Sequence, residues 1–280
     1  MSATASAPAS SGNLGPGFDT LALALSLRCS ATAEIADSMT LSERGSTVRL
    51  VESDLIHRAV DMAVGRPMHI TLANEIPRAR GLGSSSAVVA SCAQAAMRAT
   101  RVDGGRHRVF EIVADLDGHA DNAGATVYGG LVATTFGGVK QLRLDESLLV
   151  VLGVPNVELR TVDSRRALPA SVPRDVATRT IARVSFLLAG LADGDAEALA
   201  RAAGDEMHEQ PRAALSPITA DLVAAAMAAG AAHACWSGAG PTALAFVTSA
   251  SRDPVIGAME RILGTAGEVL ALEPDYEGVI

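Results

Sequence analysis

Lysine is nearly missing from this 280-residue chain: Lys140 is the sole lysine among 23 basic residues. It does not stand in a G-x-x-x-x-G-K-[ST] run, so a Walker A loop, whose lysine reaches the phosphates, is excluded. Aromatic residues make up only 3%. That leaves few rings to stack bases or sugars, so recognition must rest on backbone groups and polar side chains. Acidic residues number 31, and the net charge of -8 argues against a general binder of phosphate backbones. Three cysteines, Cys29, Cys92 and Cys235, stand far apart with no C-x-x-C spacing. An odd, dispersed set suits neither a disulfide framework nor a cysteine zinc site and fits a reducing, cytoplasmic setting. Met1 to Gly12 does not read as a signal peptide, having neither a positive nor an apolar region. A membrane span needs about 20 strongly apolar residues, whereas the most apolar stretch, Leu222 to Trp236, is mostly alanine and contains His233. No nucleic acid and no membrane are expected as partners, and the expected ligand is small and polar.

What is present is a globular composition, 49% hydrophobic and 19% charged, long enough for one large or two medium domains. Helical spacing of alanine, leucine and valine predicts helices at Ser84 to Thr100, Arg106 to Leu116, Arg174 to Ala192, Ala196 to His208, Ile218 to Ala229 and Pro254 to Leu263. Strands are expected at Leu23 to Ile35, Val48 to Val51, His69 to Ala73, Gly130 to Thr135, Leu148 to Val154, Ala232 to Trp236, Ala243 to Thr248 and Glu268 to Leu272. The order is too irregular for repeated βαβ units, so the class is α+β. The polar segment from Lys140 to Ser147 separates a glycine-rich half from a helix-rich half, which divides the chain into residues 1–145 and 146–280.

The glycines gather in short polar segments. In one of them Pro77, Arg78, Ala79, Arg80, Gly81, Leu82, Gly83, Ser84, Ser85, Ser86 and Ala87 run directly into the apolar helix that follows. Glycines let backbone approach a ligand closely, and a helix N-terminus with free N–H groups is an anion site, so phosphate can be held without lysine. One serine hydroxyl could also ligate magnesium. The same residues suit an ordinary turn with a serine N-cap, and these two readings stand side by side on this segment alone.

A second segment, Asn13-Leu14-Gly15-Pro16-Gly17-Phe18-Asp19, precedes that loop, and Ser237-Gly238-Ala239-Gly240-Pro241-Thr242 follows far downstream. Together the three resemble the signature of the GHMP small-molecule kinases, in wording nearest to the homoserine kinase family. Gly118-His119-Ala120-Asp121-Asn122, continuing to Tyr128-Gly129-Gly130, is similar to the family's G-H-P-D-N segment and its following strand. Thr161 to Pro169 is similar to T-x-x-A-R-x-x-L-P, with Ser164 in place of alanine.

The resemblance implies a two-domain fold, ribosomal-S5-like then ferredoxin-like, with the site between them. It implies ATP and Mg2+, L-homoserine as substrate, O-phospho-L-homoserine as product, a step of threonine biosynthesis, and a homodimer. By the same resemblance the loop Pro77 to Ala87 wraps the triphosphate, and Ser85 and Glu111 serve the metal, with Asp117 in reserve. Asn122 and Thr161 orient the attacking hydroxyl, and Asn13, Asp19 and Asp121 line the amino-acid pocket. Asp121 is assigned to binding or polarisation, with action as a strong base as the lesser option, since phosphoryl transfer depends mainly on positioning and charge neutralisation. A zwitterion needs a cation for its carboxylate, and a guanidinium offers a planar fork. Arg165 matches the family arginine, and Arg212 resembles a second one in H-x-P-Y-R-x-x-L-x-P, although Gln210 and Pro211 depart from that wording. Asp54 likewise replaces the asparagine expected near the adenine. These departures keep two alternatives open: another GHMP kinase acting on a hydroxy amino acid such as threonine, and a nucleotide-binding regulator without turnover.

Overall fold

The computed structural model describes residues 1–135 and 137–280. In chain order the elements are β1 (Ser2–Gly12), β2 (Leu21–Ile35), β3 (Thr40–Glu43), β4 (Ser46–Arg49), α1 (Leu55–Val64), β5 (Met68–Asn74), α2 (Ser84–Thr100), α3 (Gly105–Asp117), α4 (Asp121–Tyr128), β6 (Leu131–Thr135), β7 (Gly138–Leu142), β8 (Leu149–Pro155), α5 (Thr161–Arg166), α6 (Arg174–Asp193), α7 (Ala196–Arg201), α8 (Glu209–Arg212), α9 (Pro217–Ala228), β9 (His233–Trp236), β10 (Ala243–Val247), α10 (Arg252–Leu263) and β11 (Gly267–Leu272).

The first sheet runs β4-β3-β5-β2-β6-β7, with β1 paired to β2. Alternation builds β1: Ala5, Ala7 and Ala9 are buried, with Ser6 and Pro8 between them. Its register against β2 shifts between Pro8 and Ala9, where proline has no N–H to give the ladder. Helix α2 packs on β1 and β2 with α1 and α3 beside it. It is buried almost all round, because a run of alanine and serine lets neighbouring backbones come close.

The second sheet runs β11-β8-β10-β9, every pair antiparallel. With helices between β8 and β9 and α10 between β10 and β11, this is the β-α-β-β-α-β plan of ferredoxin-like domains. The two-sheet α+β architecture implied by the resemblance is therefore present. Several elements differ from expectation. The helix expected from Ala196 to His208 stops at Arg201, and Gly204 lies at φ +84°, a left-handed conformation that a helix cannot continue through. Strands β1, β3 and β7 and helices α1, α4, α5 and α8 lie outside the expected ranges.

Three tight segments join the two sheets: the end of β1, residues 77–83, and the 237–242 turn. Gly238 N–H donates to Gly12 O (2.9 Å), Ser237 Oγ donates to Gly81 O (2.7 Å), and Ser10 N–H donates to Leu82 O (3.1 Å). Gly81 sits at φ +74°, and a Cβ there would collide with the Ser237 carbonyl and stand 2.8 Å from Gly240 O. Beneath the turn, Glu209 is buried and its Oε1 accepts from Trp236 N–H (2.7 Å). Burial pushes the Glu209 carboxyl up to about 8.

Two outcomes follow from these contacts. Gly81→Ala combines a left-handed backbone with a backbone collision and should cost on the order of 2–4 kcal/mol, read as a lowered Tm. Folded Glu209 keeps its proton to about pH 8 while the unfolded chain releases it near 4.5, so stability through this group falls as pH rises across that window. Glu209→Gln should therefore stabilise the protein more at pH 8 than at pH 5, as measured by urea unfolding at the two pH values.

Candidate active site

Between the two sheets lies a cavity of about 530 Å³. Three sets of residues line it. Leu41, Leu50, Leu55, Ile56 and Val88 form an apolar slot beside Asp54. The loop 77–83 and the first turn of α2 form the second set. The third combines Asn13, Asp19, His119, Asp121, Asn122, Thr161, Arg165 and Arg212 with Gly238 and Ala239.

The loop resolves which groups are free to meet an anion. Gly83, at φ +63°, is the N-cap of α2 and carries no side chain to cap it. Ala87 N–H already donates to Gly83 O (3.0 Å), which leaves the amides of Ser84, Ser85 and Ser86 as the unpaired first turn. Ala87 is fully buried, so its expected place among the phosphate contacts is corrected. Arg78 and Arg80 are tethered elsewhere: Arg78 makes a bidentate pair with Glu43 (2.7 and 2.8 Å), and Arg80 donates to Asn156 O (2.7 Å). Both guanidinium groups still line the cavity, so positive potential at the loop comes from the helix end together with Arg78, offset by Glu43, and Arg80.

The metal candidates separate on helical phase. Glu111 lies six residues before Asp117 on α3, which places the two side chains about 120° apart around the axis. Glu111 is exposed, paired with His107 (3.5 Å) and Arg108 (3.2 Å), and lines a different surface depression. It does not face the cleft, which corrects the expectation for it. Asp117 turns inward, where Ser86 Oγ donates to its Oδ2, and Ser85 stands beside it exposed to the cleft. Burial raises the Asp117 pKa, and the bonds from Ser86 and Ser85 and the His119 charge offset this only in part. A carboxylate held uncomfortably out of water among serine hydroxyls is a hard-oxygen donor set of the kind magnesium takes.

The third set is held by side chains that support one another. Asn13 Nδ2 donates to Gly238 O (2.8 Å), and its Oδ1 accepts from Asp19 N–H (3.0 Å). Its amide thus ties the 13–20 loop to the 237–242 turn. Asp19 pairs with Arg165 through both oxygens (2.6 and 3.1 Å). Asn122 Oδ1 accepts from Ser10 Oγ (2.9 Å), and Asp121 Oδ1 accepts from His119 Nδ1 (2.7 Å). Burial works against the His119 imidazolium, but the bond to Asp121 and the charges of Asp121 and Asp117 outweigh it and raise its pKa. Gly12 makes room for this pair of side chains, since a Cβ there would lie 2.6 Å from Asp121 Oδ2 and 2.9 Å from Asn122 Nδ2.

Arg212 is 2% exposed yet lines the cavity. Burial, and then the nearby Arg165 charge, lower its pKa to about 10. Its Nε donates to Ser164 O (3.3 Å), and Ser164 Oγ donates to Ala239 O (3.1 Å). The serine that replaces the family alanine thus ties α5 to the 237–242 turn. Asp54, the other departure, accepts from Val51 N–H (2.7 Å) as it starts α1, and needs only an oxygen to do so. Phe18 and the apolar slot were not anticipated as site residues. Phe18 lies under both guanidinium groups, 5.8 Å from Arg165 and 5.5 Å from Arg212. An aromatic residue in a chain with so few of them was the available signal.

Comparison with known proteins agrees with this geometry. Residues 49–130 match the GHMP kinases N terminal domain and residues 187–264 match the GHMP kinases C terminal model. A homoserine kinase of Thermus thermophilus is 37% identical over 273 residues, covering 95% of this chain and 94% of that one. A homoserine kinase of Moorella thermoacetica is 36% identical, covering 89% and 88%. The crystal structure of homoserine kinase from Cytophaga hutchinsonii superposes with a TM-score of 0.88 at 24% identity, covering 100% and 96%. With both domain models, full-length relatives and the fold in agreement, the chain belongs to the GHMP kinases, in the homoserine kinase family.

Proposed function

We propose that this protein transfers the γ-phosphoryl group of ATP to the side-chain hydroxyl of L-homoserine, giving O-phospho-L-homoserine and ADP, a step of threonine biosynthesis. The observation that carries this reading is the pairing within one cleft of a free helix N-terminus with the guanidinium groups of Arg165 and Arg212. One end suits a triphosphate, the other an amino-acid carboxylate. The apolar slot around Leu41, Leu55 and Ile56 suits the base. The amides of Ser84 to Ser86 hold phosphate oxygens, and Ser85 and Asp117 would hold Mg2+, which supplies charge neutralisation on the phosphates when bound.

Asn122 and Thr161 orient the attacking hydroxyl, while Asp19 serves the ammonium group and Asn13 keeps Asp19 in place. The new bond forms between the hydroxyl oxygen and the γ-phosphorus as the bond to the β,γ-bridging oxygen breaks, and the hydroxyl proton passes late to an oxygen of the transferred phosphoryl group. Asp121, already bonded to His119, polarises the hydroxyl and does not act as a strong base, because a loose transition state draws little on early proton removal. Against the regulator without turnover, Asp54 has a supporting bond from Val51 N–H, and Arg212 still lines the cleft with Gln210 and Pro211 before it. We place the domain boundary between residues 145 and 146. We also read the protein as cytoplasmic, supported by three buried free cysteines, and as a homodimer, supported by exposed Ile181 and Phe186 on α6.

An ADP-release assay over L-homoserine, L-threonine, L-serine, mevalonate and shikimate should give turnover with homoserine foremost. Turnover of a non-amino-acid alcohol with none of homoserine would overturn the substrate assignment. Arg165→Ala should raise the homoserine KM roughly 10- to 100-fold with little change in the KM for MgATP. Asp117→Asn should weaken apparent Mg2+ affinity by about 10- to 100-fold, whereas Glu111→Gln should leave it unchanged; magnesium titration of the initial rate reads both.

A further inference from the structure

We propose that His208 is a positioning residue: it fixes the guanidinium of Arg212 for the substrate carboxylate by accepting a hydrogen bond from it as a neutral imidazole. The inference rests on the reading of the cleft as a homoserine site.

His208 is fully buried and does not line the cavity, so it cannot touch substrate. Its Nδ1 lies 3.0 Å from Arg212 Nη1 and its Nε2 lies 2.8 Å from Gly15 O. A guanidinium has only donors and a carbonyl oxygen only accepts, so the imidazole proton must sit on Nε2 and the lone pair on Nδ1. The network allows no other tautomer and no imidazolium, which would set two donors against each other. Burial also holds the His208 pKa below its ordinary value against the raising effect of Asp205, whose Oδ2 lies 3.7 Å from Nε2.

Arg212 forms no salt bridge with a carboxylate among the described residues. Its other contacts, Ser164 O (3.3 Å) and Gly238 O (3.4 Å), are longer neutral acceptors. A carboxylate in place of His208 would orient Arg212 equally well but would neutralise it and blunt its attraction for an anion. A neutral ring orients without neutralising. The ring also stacks on Phe18 at 5.1 Å and 21°, so the same side chain backs the aromatic face beneath both guanidinium groups.

The test is steady-state kinetics of wild type, His208→Phe and His208→Gln, varying homoserine and MgATP separately. Phenylalanine keeps the stacking and loses the acceptor; glutamine restores an acceptor and a donor. The homoserine KM should rise roughly 10- to 100-fold in His208→Phe, with kcat and the MgATP KM within about threefold, and His208→Gln should recover most of the loss. An unchanged homoserine KM in His208→Phe, or an equal loss on both substrates, overturns the proposal. If His208→Phe does not fold, nitrogen-15 NMR of histidine-labelled wild type decides, with His208→Gln assigning the resonance. A neutral Nε2–H ring at the pH of the assay supports the proposal, and an Nδ1–H ring or an imidazolium overturns it. A wild type without homoserine turnover overturns both this proposal and the functional reading beneath it, whereas kinetics confined to His208 leave that reading standing.

Discussion

The first turn of α2 presents three backbone amides to the cleft, and much of the surrounding structure serves to keep them free. A helix end satisfies itself when a capping side chain is at hand; here the cap position is Gly83, which has none. The two arginines of the loop are drawn off to Glu43 and Asn156 and do not crowd the turn. Ser84 and Ser86 spend their hydroxyls sideways, on Asn74 and Asp117. The loop is pinned from outside by β1 and the 237–242 turn, through contacts so close that glycine is the residue that fits. In a chain with one lysine, phosphate affinity thus falls to backbone amides, with Arg78 and Arg80 at the rim of the same cavity.

The other half of the cleft solves a different problem, how to keep cations in a largely buried place without cancelling them. Arg165 is half-exposed and pairs with Asp19, an arrangement that matches the opposite charges of a zwitterion. Arg212 is deeper, and its partners are carbonyls and a neutral imidazole. Stacking on Phe18 adds attraction for both guanidinium groups without adding negative charge.

Much of this was legible in the sequence because it depends on short contiguous segments. Glycine followed by serine before an apolar run suits an anion loop or a capped turn, and the ordered motifs of the family resemblance favour the loop; the α+β class emerges from spacing, and the two-domain plan from that resemblance. What escaped depends on partners far along the chain. Strand β1 alternates alanine with serine, threonine and Pro8 as far as Ala9, but small side chains give that pattern little hydrophobic contrast; it becomes a strand because β2 pairs along its whole length. The choice between Glu111 and Asp117 turns on helical phase against α2, which family position does not supply. His208 and Arg212 stand four residues apart, a spacing that marks one helical face, yet the short α8 carries no apolar periodicity to announce itself.

Residues 273–280 leave the second sheet and return to the first. Pro274 bridges Leu25, in the part of β2 between its pairings with β6 and β5. Asp275 pairs with Arg28, and Ile280 exchanges backbone bonds with Ser6 in β1. The N-terminal domain is therefore sealed by a segment that follows the whole second sheet in the chain. During synthesis it must wait, with part of β2 and the edge of β1 unpaired, while the whole second domain is made. The order of translation thus makes completion of the nucleotide-binding half contingent on completion of the other, so an interrupted chain lacks a finished first domain as well as a second.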